Sequence, residues 1–85
     1  MDRLSAAAEQ ALAREFAPEA QPTARELAGR YGVGPQEREV DRVRAALLSL
    51  SRGRLDLLGH YLAIAQHDYR DVLYWADHPE QAPKR

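Results

Sequence analysis

The sequence has no cysteine, which excludes disulfide bonds, a cysteine-ligated zinc and a thiol nucleophile. β-Branched residues are also scarce, six among 85, so β-strands are not expected. No apolar run approaches the about 18 residues of a membrane-spanning helix, and the first sixteen residues lack the apolar segment of a signal peptide. We therefore expect a cytoplasmic protein that does not associate with membranes.

Neither sign of charge predominates, since 12 Lys and Arg stand against 13 Asp and Glu. The sequence thus lacks the basic excess that is typical of a dedicated nucleic-acid binder. Alanine, leucine, arginine and glutamate are abundant, and these residues favour helices. Because a chain of 85 residues forms one small domain with a thin core, we predict an all-α fold, a small irregular bundle of four or five short helices.

The chain divides into an accessory N-terminal part (1–22), a helical core (23–78) and a flexible tail (79–85). The N-terminal part holds a helix over 3–16, with Asp2 as its N-cap, and a linker whose two prolines should not lie inside a helix. The apolar face of this helix is mostly alanine, which buries little area. It therefore needs a cover to be stable.

The second helix has clear signals at both of its ends. Thr23 and Glu26 have the spacing of a capping box, which predicts a helix over 24–31. Gly32 can take the left-handed conformation that ends a helix, and Val33 would supply the accompanying apolar contact.

The third and fourth helices carry most of the apolar residues. The third is expected to begin at Pro35 and to carry an apolar stripe, with Arg42 and Arg44 on the opposite, solvent-exposed face. The stripe consists of Val40, Val43, Leu47 and Leu50. The fourth covers 55–66, and its apolar breadth marks the most buried helix, with Gly59 at a close helix crossing.

The fifth helix covers 69–77, because Asp68 can cap it and Pro79 stops it. The sequence leaves open whether the fourth and fifth helices are one kinked helix. Its predicted inward face consists of Tyr69, Val72, Leu73 and Ala76. Tyr74 and Trp75 lie beside this stripe. They either pack half-buried on the core or, with Arg70, form the anchors of a protein interface. We predict Tyr74, Trp75 and Arg70 as partner-binding residues.

Residues 26–33 resemble the first helix and turn of a helix-turn-helix. After the turn, however, the inward apolar positions of that motif hold Arg38 and Asp41, and the second helix would begin with carboxylates that repel phosphate. The other interpretation is an ordinary helix that ends at a glycine. A DNA-binding regulator using residues 24–51 is therefore the alternative function, and nucleic acid is not the expected partner.

Four arginines lie near the junction of the third and fourth helices: Arg42, Arg44, Arg52 and Arg54. They form either an anion-binding patch or a solvated corner whose charge complements the end of a helix dipole. No aromatic residues alternate with them as stacking platforms for nucleic acid.

The histidines give little indication of metal binding or catalysis. His60 and His67 are two turns apart on a helix, about 10.5 Å, which is too far for one metal ion without a ligand between them. Each has an aspartate four residues away, which could orient an imidazole, but no Ser or Thr is placed as its nucleophile. We expect no metal, no cofactor and no enzymatic activity.

The block Asp-Tyr-Arg-Asp-Val-Leu-Tyr-Trp-Ala at 68–76, within the longer stretch 43–77, resembles the end of short bacterial helical proteins that have no assigned function. The resemblance implies a compact bacterial helical protein and brings no activity, cofactor or site residue. We therefore predict a non-enzymatic protein–protein interaction or assembly module that self-associates, because a thin core gains from a second chain.

Overall fold

The computed structural model describes residues 4–83, which form an irregular bundle of α-helices, as predicted. The helices are α1 (Ala6–Glu15), α2 (Gln21–Gly29), α3 (Val40–Leu50), α4 (Leu55–His67) and α5 (Tyr69–Asp77), followed by a short 3-10 turn at Pro79–Gln81. The proposed N-cap Asp2 lies outside the described residues.

The helix α1 is part of the core, so its interpretation as an accessory element is wrong. It begins at Ala6 because the Ser5 hydroxyl accepts a hydrogen bond from the backbone N–H of Ala8, at 3.2 Å. It packs along α3. Its buried residues, together with the two that flank it, are Leu4, Ala8, Ala11, Leu12 and Phe16. The bundle itself supplies the cover that this alanine-rich face needs.

The helix α2 begins at Gln21, earlier than the capping box predicts. Pro22 lies in its first turn, where a missing N–H costs no helical hydrogen bond. The Gln21 side-chain amide donates to the carbonyl of Phe16 at 2.9 Å, which closes the short connection from α1. The prediction that Thr23 caps this helix is therefore wrong, and of the two prolines only Pro18 lies outside a helix.

The segment between α2 and α3 is a loop, and α3 begins at Val40 rather than at Pro35. The Glu37 carboxylate accepts hydrogen bonds from the backbone N–H groups of Gly32 and Val33, at 2.6 and 3.2 Å. Gly32 has a positive φ of +108°, as predicted. Val33, however, is 80% exposed and does not make the apolar contact predicted for it. Glu37 thus satisfies two of the loop's backbone N–H groups, which competes with helix formation in this segment.

The helices α4 and α5 have the predicted positions. Asp68 separates them with extended backbone, φ −155° and ψ 98°, and its carboxylate accepts from the N–H of Arg70 at 3.1 Å. Val43, Leu47, Leu58 and Leu62 are all buried. A Cβ at Gly59 would meet nothing within 4 Å, so the close helix crossing predicted there is absent from the described structure.

The C-terminal segment folds back onto the bundle. After the turn at Pro79–Gln81, the carbonyl of Pro83 accepts a hydrogen bond from the Tyr61 hydroxyl at 3.1 Å. The predicted flexible tail, as far as residue 83, is thus held against α4.

Candidate interaction surface

The outer surface of α5 carries a charged residue at each end and an aromatic ring between them. Arg70, Tyr74 and Asp77 are spaced i, i+4 and i+7, so they lie on one side of the helix, and all three are exposed. We call these three residues the α5 face. Tyr74 is 52% exposed, and within residues 4–83 only it and Val33 are large apolar side chains with such exposure.

Local contacts hold two of the three side chains of the α5 face, Arg70 and Tyr74, in place. The Arg70 guanidinium donates from Nε and Nη2 to the Asp68 carboxylate, at 3.0 and 3.1 Å. This pairing lowers the pKa of Asp68 and raises the pKa of Arg70. In the middle of the face, the ring of Tyr74 lies against the ring of His78, with 4.5 Å between the centroids.

An apolar groove of about 470 Å³ runs beside the α5 face, between α1, α3 and α5. Its apolar wall consists of Ala7, Ala45, Ala46, Leu73 and Ala76. Asp77 belongs to both the groove and the α5 face. A concave apolar strip between helices can accept apolar side chains from another chain.

Trp75 lies apart from the other two predicted partner-binding residues. Its ring packs edge-to-face on Tyr61, with centroids 6.0 Å apart, and the side chain is half-buried against the core. Arg70 and Tyr74 therefore share a face, whereas Trp75 is directed at α4. Whether Trp75 packs on the core or faces a partner depends on the position of Tyr61. The sequence around Trp75 does not reveal that position.

The four predicted patch arginines do not form one surface, because Arg44 is only 4% exposed. Its guanidinium donates to the backbone carbonyls of Tyr31 and Gly29, at the end of α2. The expectation of a solvent-exposed Arg44 is therefore wrong. A signal was present in the sequence, since Arg44 is four residues after Val40 and three before Leu47, inside the apolar stripe.

The other three patch arginines face solvent, and two of them form ion pairs with neighbouring carboxylates. Arg42 donates to Glu39 at 3.2 Å, and Arg54 donates to Asp56 at 2.7 Å, which lowers the pKa of Asp56. Arg52 is exposed and has φ 53°. These pairs are local surface ion pairs of small energetic value.

The histidines are not brought together with other metal-binding groups. Within residues 4–83 there is no group of three His, Asp or Glu side chains that could hold a metal ion. His60 packs edge-to-face with Tyr61, and His67 lines a shallow cleft of about 540 Å³ together with Arg38 and Arg70. No Ser or Thr lines that cleft.

The region 24–51 lacks the geometry of a helix-turn-helix. The connection from α2 to α3 occupies residues 30–39, whereas the turn of that motif has about three to four residues. Glu37 and Glu39 lie within the connection, and Glu39 has φ 55°. The second helix of the region therefore begins several residues later than the recognition helix of that motif would.

The protein is a small all-α bundle, and its last α-helix presents an aromatic and charged surface, the α5 face. In the described part of the chain, no helix combines the length and apolar character needed to cross a bilayer. Comparisons with protein-family models, with curated proteins and with solved structures gave no match.

Proposed function

We propose that this protein is a non-enzymatic interaction and assembly module that binds a second copy of itself through the α5 face. One observation carries the proposal: the half-exposed ring of Tyr74 lies on the same helix that forms one wall of the apolar groove. Tyrosine and arginine are enriched among the residues that anchor protein interfaces. A cytoplasmic location remains a prediction from the sequence.

A second copy is the occupant that this arrangement favours. In a two-fold symmetric dimer, one patch meets its own copy, so the exposed ring of Tyr74 and the groove beside it, which share Asp77 as a neighbour, can both be used twice. The small size of the chain adds a reason, because a domain this short buries a limited fraction of its surface alone.

The test is the mass of the protein in solution, measured by sedimentation velocity from low to high micromolar concentration. We expect a concentration-dependent dimer for the natural chain and a monomer for Tyr74→Ser, because the substitution removes the aromatic anchor. Val33→Ser is the matched control, since Val33 is the other exposed large apolar residue of the described chain and lies on the loop before α3. A natural chain that stays monomeric at high micromolar concentration would refute the proposal.

A further inference from the structure

The α5 face has charges that oppose the dipole of its own helix. Arg70 lies in the first turn, near the positive end, and Asp77 is the last residue, near the negative end. Arg70 is compensated by Asp68, although its side chain is still 77% exposed. Asp77 makes no ion pair within residues 4–83. An exposed carboxylate at this end is unfavourable for the isolated helix.

The same charges become favourable when a second α5 lies antiparallel to the first. The positive end of one helix then lies beside the negative end of the other, so each Arg70 approaches the partner's Asp77 and each charge lies near the helix end that attracts it. A parallel arrangement would place Arg70 beside Arg70 and Asp77 beside Asp77, which is repulsive. Charge complementarity therefore selects one orientation.

The spacing fits a two-fold axis at Tyr74. Arg70 is four residues before Tyr74 and Asp77 three residues after it, which correspond to about 6 and 4.5 Å along the helix axis. The difference of about 1.5 Å is small beside the length of an arginine side chain. The two Tyr74 rings then meet at the axis, and Asp77 of each copy lies at the edge of its groove.

We infer that two copies of this chain dimerise by packing α5 against α5 in antiparallel orientation, with Arg70 of each copy paired to the partner's Asp77 and with Tyr74 at the centre. This inference rests on the proposed self-association and adds the interface and its orientation. The partner is a second copy because the pattern of one positive end, one ring and one negative end is complementary to itself.

The experiment uses two single charge reversals, Arg70→Glu and Asp77→Arg, in the full chain. Either variant alone has like charges facing each other twice in its own dimer, so we expect each dissociation constant to rise by at least about tenfold. An equimolar mixture of the two restores both opposite-charge contacts. We therefore expect a mixed dimer of near-natural affinity, seen by sedimentation velocity and by native mass spectrometry.

Controls separate folding from binding. Arg70→Glu places a negative charge near the positive end of α5, and Asp77→Arg places a positive charge near its negative end, so both monomers should fold. Far-UV circular dichroism checks this. Glu19→Arg changes an exposed charge far along the chain from α5 and should leave dimerisation unchanged. A mixed dimer together with weakened single variants supports the inference.

Two results would overturn it. If the natural chain dimerises but both reversals dimerise equally well, or their mixture gains no affinity, the antiparallel α5 interface is wrong while self-association stands. If the natural chain does not dimerise at all, the interface and the proposed function fail together.

Discussion

The guanidinium of Arg44 donates two hydrogen bonds to the backbone carbonyl of Tyr31, from Nε at 3.0 Å and from Nη2 at 2.8 Å. Nη2 also donates to the carbonyl of Gly29 at 3.1 Å. The last carbonyls of a helix have no partner within the helix itself. A side chain of α3 thus satisfies the end of α2 and ties the two helices together.

Arg44→Ala should lower the free energy of unfolding by about 2–3 kcal/mol, because it leaves buried carbonyl groups without donors. Arg42→Ala is the control. Its exposed pairing with Glu39 predicts a change below about 0.5 kcal/mol. Urea unfolding of both variants measures the difference. Equal, small effects would mean that Arg44 lies in solvent and does not bind the end of α2.

Replacing either of two glycines by alanine should change the stability, in opposite directions for the two positions. Gly53 has φ +82°, and a Cβ there would lie 2.4 Å from the carbonyl oxygen of Glu15, so Gly53→Ala must displace backbone and should cost more than about 2 kcal/mol. Gly59 is helical with open space around it, so Gly59→Ala should add about 0.5–1 kcal/mol. Thermal melts of the pair check both signs. A destabilised Gly59→Ala would indicate a neighbour that occupies the open space.

Tyr31 should titrate at unusually high pH. Burial, followed by the nearby charge of Glu37, raises its pKa from 10 to about 12. The unfolded chain loses this proton earlier than the folded chain does, so stability falls as the pH rises from about 10 towards 12 and levels off above that. Ultraviolet titration should show a tyrosine component that ionises late. Tyr31→Phe should remove that component.

Asp68→Ala should destabilise the protein by about 1 kcal/mol, because the carboxylate caps α5. Asp68→Asn keeps an acceptor for the Arg70 N–H and should cost less. Since the folded-state pKa of Asp68 is lowered by Arg70, its stabilising effect is present above its ordinary pKa of 3.8 and is lost as the pH falls through the lowered value. Urea unfolding at neutral and at acidic pH tests this. Equal losses for both variants at neutral pH would contradict the capping role.

Much of the fold could be predicted because its signals lie within a few residues of each other. Asp68 caps the helix that starts one residue later, and Gly32 has the positive φ that its lack of a Cβ allows. The apolar residues of α4 recur with helical periodicity. The candidate surface could be predicted in part, since Arg70 and Tyr74 share a face by their spacing alone.

The sequence by itself determined that this chain is helical and that Tyr74 lies outside the apolar stripe of α5, but it left open whether α4 and α5 are one kinked helix. Only the tertiary structure decided that α1 belongs to the core, that α3 begins at Val40, that Arg44 is buried and that Trp75 packs on Tyr61. The physical reason is distance along the chain. A cap or a periodic stripe acts between near neighbours, whereas Arg44 is thirteen residues from the carbonyl it caps and meets it only once the helices have packed.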